Sequence, residues 1–242
     1  MTAIGLWLLD LAMPPGRLDA LTALLDDEEH ARAARFRHAR DRDRFIARRG
    51  QLRLLLAAEG AGDAGAIRYT RNAHGKPALA DRPDLRFNLS YSGDVALCAV
   101  ARGVEVGCDI AWRDPALADP RVARRLFAAA EWRALEALPP DRRTEGFFNC
   151  WTRKEAFIKA LGLGVSHPLG SFAVTLAPGD PARIISGGDG WSIASFAPAP
   201  GYQAALAAAG DAAAAAAPPR WFDADARAGF SAGEAPAAPG AS

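Results

Sequence analysis

The sequence lacks a long hydrophobic run. Although 50% of it is hydrophobic, nowhere does it approach the roughly 18 consecutive apolar residues of a membrane span. That much apolar material, dispersed over 242 residues, predicts one large core or two small ones. Cysteine is scarce: Cys98, Cys108 and Cys150 have no CxxC spacing and no histidine pair beside them, which argues against a disulfide framework or a zinc site and leaves them as small core residues. A charge excess is missing as well. The 29 basic and 28 acidic residues give +1, so no global field draws the chain to nucleic acid or an anionic membrane, and any electrostatic function is local. The start, MTAIGLWLLDLAMPPG, has no basic segment ahead of its apolar run, which Asp10 interrupts; the expectation is a cytoplasmic protein. The histidines, at 30, 38, 74 and 167, show no metal spacing.

What is present is organised by period and by breakers. Residues 4–11 read as a buried first strand ended by Pro14, Pro15 and Gly16. Leu18, Leu21, Leu24 and Leu25 then mark a helix, and 30–59 a second helical segment broken near Arg40 and Asp41. From Arg32 to Arg53 stand nine arginines against Asp41 and Asp43. A nucleic-acid surface would interleave more aromatics than Phe36 and Phe45; a polyphosphate pocket needs only one or two arginines turned inward. A short strand at 67–70 leads to RNAHGKP, whose Lys76 is framed by Gly75 and Pro77. Residues 85–111 read as an antiparallel meander with a turn at Ser90 to Asp94, its last strand alternating Val104, Val106, Cys108 and Ile110 against Glu105, Gly107, Asp109 and Ala111. That pattern turns Asp109 away from the core.

Two short helices follow, at 121–127 and 130–138, then Pro139 and Pro140. The stretch from Phe147 to Gly164, FFNCWTRKEAFIKALGLG, reads as a helix in which Trp151, Glu155 and Lys159 share a stripe with Lys154 beside it, ended by Gly162 and Gly164. A carboxylate between two lysines points to phosphate and metal; a solvated face of an amphipathic helix fits the same spacing. A second meander covers 171–176, 182–186, 191–196 and 202–208. Helices followed by a meander thus occur twice, the pattern of a duplicated unit. From Asp211 the composition falls to Ala, Gly and Pro, the expectation being a disordered or loosely attached tail with Trp221 and Phe222 docking on the body.

FNLSYSG at 87–93, VGCDI at 106–110 and WTRKEAFIKALGLG at 151–164, preceded by GKP at 75–77, together resemble the ordered motif series of the Sfp-type 4′-phosphopantetheinyl transferases. The resemblance implies an α+β fold of two similar halves related by a pseudo-twofold axis, divided here as 1–108 for coenzyme A nucleotide contacts, 109–210 for the metal and the central helix, and 211–242 for the tail. It implies transfer of the phosphopantetheine arm of coenzyme A to a serine of a carrier-protein domain, of polyketide, nonribosomal peptide or fatty-acid type, by a magnesium-dependent monomer of the holo-[acyl-carrier-protein] synthase kind.

Asp109 and Glu155 would be magnesium ligands, Glu155 also assisting deprotonation of the serine. Lys154 and Lys159 would meet the cofactor phosphates, and Lys76, Ser90 and Arg44 would hold the nucleotide and its 3′-phosphate. The sequence departs from the family pattern at Ala111, where a second acid is usual, and at Tyr91, where a phosphate-contacting histidine is usual. Glu105 cannot replace the missing acid, because four residues along a strand is about 13 Å. A module that binds coenzyme A or carrier without catalysis is the alternative that Ala111 leaves open. Leu117, Val122, Leu126 and Phe127 are the apolar residues expected to meet the carrier.

Overall fold

The computed structural model describes residues 4–223. A strand, β1 (Gly5–Asp10), is followed by helices α1 (Pro15–Thr22), α2 (Asp27–Ala33) and α3 (Ala39–Leu56), a two-stranded ribbon of β2 (Tyr69–Arg71) and β3 (Pro77–Leu79), and a hairpin of β4 (Leu85–Ser92) and β5 (Val95–Arg102). The series then repeats: strand β6 (Val106–Trp112), helices α4 (Pro120–Leu126), α5 (Ala129–Ala137) and α6 (Pro140–Leu161), ribbon β7 (Ala173–Val174) and β8 (Ile184–Ser186), hairpin β9 (Trp191–Phe196) and β10 (Tyr202–Ala209). Three strands of each sheet share one order, β1-β5-β4 and β6-β10-β9, with antiparallel pairing among them. The duplication expected from the alternation of helices and strands is therefore real at the level of topology.

The units are cut differently from the sequence reading. β6 does not complete a meander beside β5; it opens the second unit and pairs with β10, so a division at 108/109 falls inside a strand. β4 continues through Ser90 to Ser92, and the turn is confined to Gly93, at φ 59°, and Asp94. The helical break lies at 34–38 rather than at Arg40. α2 begins early because Asp26 caps it: its carboxylate accepts from Glu29 N at 2.8 Å, and Glu29 accepts in return from Asp26 N at 3.2 Å. Residues 211–223 are not a loose tail. Strand β11 (Arg220–Trp221) pairs parallel with β1, and Phe222 is buried edge-on against Trp7, the ring centroids 6.0 Å apart. The rest of the expected tail, 224–242, lies outside the described residues.

Strand alternation sorts the core into layers. Leu6 and Leu8 of β1, Leu97 and Ala99 of β5, Val106, Cys108 and Ile110 of β6, and Ala204 and Leu206 of β10 form one cluster shared by the inner faces of both sheets. The opposite face of the first sheet packs under α3, and that of the second under α6. Against α6 the second sheet presents small residues, Gly107, Ala205 and Ala207, and the helix replies with Ala156 and Ala160. The approach at Gly107 is so close that an added Cβ would stand 2.2 Å from both Ala156 O and Ala160 N.

No side chain fits at position 107, and the atoms it would meet are backbone. Gly107→Ala is expected to cost at least about 3 kcal/mol, read as a lower urea midpoint. Gly16→Ala, where nothing lies within 4 Å of the added carbon, should stay within about 0.5 kcal/mol of the parent. An unchanged midpoint for Gly107→Ala would show that the sheet–helix contact yields freely.

Candidate functional site

Edge strands β4 and β6 meet where the two sheets adjoin, and side chains replace the backbone ladder there. The even-numbered residues of β4 all turn to β6. Asn88 Oδ1 accepts from Cys108 N at 2.8 Å, and Ser92 Oγ accepts from Trp112 N at 2.9 Å, satisfying strand amides that would otherwise be left unpaired. Between them Ser90 Oγ donates to Asp109 Oδ1 at 2.7 Å. Lys159 Nζ, reaching down from α6, donates to the same Asp109 oxygen at 2.5 Å and to Ser90 Oγ at 2.9 Å. Ser90, Asp109 and Lys159 thus form one knot drawn from both halves.

Asp109 is almost fully buried behind this knot, whereas the Lys159 side chain keeps 29% exposure. Lys159 and Glu155, one helical turn apart, open onto a cleft of about 580 Å³. Its walls come from the ribbon turn at His74 to Pro77, from Asn88 and Leu89, from Arg125 and Leu126 at the end of α4, and from the loop at Gly162 to Gly170. Alternation placed Asp109 on the correct strand face, but that face meets α6 and the cleft floor rather than open water.

Burial pushes the Glu155 carboxyl above its ordinary range, the negative charge of Asp109 pushes it further, and Lys159 only partly offsets them. For Lys159 burial works against the charge, but the charge and hydrogen bond of Asp109 outweigh it and the pKa is raised. Asp109 holds the ammonium directly, whereas Glu155, reluctantly charged, feels both of them through space. Such a pair suits a divalent cation, which needs only one or two protein carboxylates when phosphate and water complete its shell. Among the described residues no larger group of His, Cys, Asp or Glu gathers anywhere. Ala111, where a further acid was sought, packs against the apolar cluster under α6, and Glu105 is engaged by Lys76 and Arg86.

The other expected contacts are placed elsewhere. Lys154 is fully buried, its ammonium 2.8 Å from Glu131 Oε1, donating to Leu169 O at 2.8 Å and Phe172 O at 2.6 Å, and lying 3.9 Å from the Phe172 ring centroid. One residue from Glu155 is about 100° around a helix, enough to turn Lys154 into the core, so its expected role at a cofactor phosphate is replaced by a structural ion pair. Arg44 grips Asp94 at 2.6 Å, helped by Arg40 at 3.0 Å; this bond holds the Asp94 carboxyl below its usual range and fixes the β4–β5 turn to α3. Lys76 joins Glu105, Val106 O and the last-turn carbonyl of Ala160, stapling the β2–β3 turn to α6 while still bordering the cleft. Tyr91 is exposed on the α3 side of β4, under the guanidinium of Arg48. Phe127 is unavailable to any partner, being buried against Phe147 at 5.4 Å.

Sequence reasoning missed Asn88, Ser92 and Gly107. A signal for the first two existed in the polar residues spaced two apart at 88, 90 and 92 on a strand.

Residues 105–208 match the family described as the 4′-phosphopantetheinyl transferase superfamily, and residues 15–102 match that described as 4′-phosphopantetheinyl transferase, N-terminal. These ranges correspond closely to the two structural repeats. The chain is 36% identical over 210 residues to 4′-phosphopantetheinyl transferase HetI of Nostoc sp., covering 86% of this chain and 88% of that one. It is 34% identical to a 4′-phosphopantetheinyl transferase of Bacillus subtilis, covering 69% and 74%, and 33% identical to Sfp of Bacillus subtilis, covering 64% and 67%. Among the described residues no helix is long and apolar enough to cross a membrane.

The raised Glu155 pKa has a definite consequence for stability. Its folded value lies above the unfolded one, so the folded state binds more protons and this group's contribution falls as pH rises from about 4.5 through the folded pKa. Without divalent cations, Glu155→Gln should therefore gain on the parent in urea unfolding free energy as pH rises across that window. A difference independent of pH would contradict the burial of Glu155.

Proposed function

The chain belongs to the 4′-phosphopantetheinyl transferase superfamily, and we propose that it transfers the phosphopantetheine arm of coenzyme A to a serine of a carrier-protein domain, of polyketide, nonribosomal peptide or fatty-acid type, releasing 3′,5′-ADP. The observation that carries this reading is that Glu155 and Lys159 line one cleft with Asp109 buried directly behind the Lys159 ammonium. Asp109 and Glu155 are the residues that would hold magnesium. Bound there, the metal would supply positive charge for the pyrophosphate oxygens.

Lys159 is the cation aimed at the bond that breaks. It rests on Asp109 and Ser90, contacts that position the ammonium at the cleft floor, where an incoming pyrophosphate can accept from it. The serine oxygen of the carrier attacks the phosphorus bearing the pantetheine arm, the bond from that phosphorus to the bridging oxygen breaks, and 3′,5′-ADP departs with the electron pair. Glu155 receives the serine proton; the burial and negative neighbour that raise its pKa make its carboxylate the better acceptor. No covalent intermediate on the protein is required. The carrier is received beside the cleft mouth, where Leu126 borders the cleft and Leu117 is exposed. Three free, buried cysteines accord with a reducing cytoplasm as the setting.

Intact mass of apo carrier domains, incubated with the protein, coenzyme A and magnesium, tests the reading. One phosphopantetheinyl group should be added to the carrier serine, the gain should vanish with chelator, and Asp109→Ala or Glu155→Ala should slow it about a hundredfold or more. Binding of coenzyme A with no modification of any carrier would replace the transferase by a binding module.

A further inference from the structure

Arginine carries almost all of the positive charge of this chain. Of its 29 basic residues only three, Lys76, Lys154 and Lys159, are lysines, and each has its ammonium against a carboxylate. An ammonium has three donors and no acceptor, so its contacts decide what it can still do. Lys159 meets two acceptors, Asp109 Oδ1 and Ser90 Oγ, which leaves one donor for a ligand in the cleft. Lys76 meets three: Glu105 Oε2 at 2.9 Å, Ala160 O at 2.8 Å and Val106 O at 3.2 Å. It has no donor left for a nucleotide, although the turn that carries it borders the cleft.

The two backbone acceptors of Lys76 are the two sides of the Gly107 contact. Glu105 O is taken by Ala209 N on the β10 side of β6; Val106, the next residue, therefore turns its carbonyl to the free edge, where Asn88 also meets Cys108 N. Ala160 supplies the helix nitrogen that stands over Gly107. One ammonium thus ties strand to helix at the place where only glycine fits between them, and it does so at the negative pole of α6, whose last carbonyls have no partner within the helix. Asn72 adds a second tie. Its Nδ2 donates to Gly162 O at 2.8 Å, while its Oδ1 accepts from the amides of His74 and Lys76, both at 2.9 Å, and so shapes the turn. The approach is close enough that a Cβ on Gly162 would stand 2.8 Å from Lys76 Cδ and 3.0 Å from Asn72 Nδ2. Lys159 is the residue before Ala160, in the turn of helix that these contacts hold.

Resting on the transferase reading, we propose that Lys76 is a positioning residue and not a nucleotide ligand: braced by Asn72, it clamps the last turn of α6 onto β6 and so fixes Lys159 against Asp109 and Ser90. The clamp comes from the first unit and the cation it positions from the second.

The scarcity of lysine makes the test direct. In protein isotopically labelled at lysine Cε, three ε signals are expected, and Lys76→Met, which keeps the apolar stem and leaves Glu105 its ion pair with Arg86, removes one. Without ligand, the Lys159 signal should shift in this variant while that of Lys154, held by Glu131, stays in place. Asn72→Ala, a milder loosening of the same clamp, should move Lys159 the same way by less. Calorimetric affinity for 3′,5′-ADP, which lacks the phosphorus that is attacked, should stay within about threefold of the parent, and the transfer rate at saturating coenzyme A and carrier should fall about tenfold to a hundredfold. Lys76→Arg should not rescue that rate, because three acceptors converge on one nitrogen and a planar fork cannot meet them. A lysine that held the nucleotide would give the reverse in Lys76→Met, an unmoved Lys159 signal and 3′,5′-ADP affinity down about tenfold or more, largely restored in Lys76→Arg; either the unmoved signal or the lost affinity overturns the proposal. Signal and affinity need no turnover, so the two readings fail separately. A shifted Lys159 signal with intact 3′,5′-ADP affinity, in a protein that modifies no carrier, sinks the transferase and leaves the clamp; transfer by a parent whose Lys159 signal ignores Lys76→Met does the opposite.

Discussion

The contact between Gly107 and the backbone of α6 sets the position of everything else in the cleft. With Ala156 O and Ala160 N 2.2 Å from where a Cβ would stand, the helix rests so close to the strand that only glycine fits at position 107. Two residues further along β6, Asp109 points to the same side. Lys159, beside Ala160 in sequence, is carried down to meet it, with Glu155 one helical turn back on the same stripe. A helix held off by one methyl layer would leave Lys159 short of Asp109 and Ser90. The site is thus a by-product of small residues: Gly107, Ala205 and Ala207 on the sheet, Ala156 and Ala160 on the helix.

The seam between the sheets is the second constraint. Edge strands ordinarily expose unpaired amides, and here Asn88 and Ser92 occupy two of them on β6. This use of side chains holds β4 and β6 at a fixed relation while leaving Ser90, between the two fasteners, free to address Asp109 and Lys159. The FNLSYSG stretch therefore does its work as a strand. Its polar residues Asn88, Ser90 and Ser92 are a joint between halves, and Ser90 extends that joint to Lys159.

The legibility of the chain follows the range of its interactions. Periodicity within ten to twenty residues showed the strands, the helices and their doubling, because those depend on neighbours in sequence. Ser90, Asp109, Glu155 and Lys159 were legible as motifs, and the structure brings them together. Lys154, Lys76 and Arg44 were legible as charges but not as occupied charges: their partners, Glu131, Glu105 and Asp94, stand far away in sequence, and a sequence displays a cation without its counter-ion. The placement of β6 failed on similar grounds, since a strand can equally end one unit or begin the next until its partner β10, about a hundred residues later, is known.

A duplicated scaffold could have carried two sites, and the distribution of small residues explains why it carries one. In the second unit the close-approach glycine lies on the sheet, so α6 sinks onto β6. In the first unit the corresponding intimacy is spent between helices: a Cβ on Gly50 of α3 would stand 2.6 Å from Leu21 Cβ of α1, while the sheet face beneath α3 is lined with Trp7, Leu9, Phe87 and Val100. Those large side chains fill the space between α3 and its sheet with hydrocarbon. The charges of α3 are instead engaged mainly by carboxylates, most of them on other elements: Asp94 for Arg40 and Arg44, and Glu29 and Asp26 for the buried Arg53. The first unit consequently contributes position, through the Asp94 turn and the Lys76 staple, while Glu155 and Lys159 come from the second. A topological repeat has become functionally unequal through the choice of which face receives glycine.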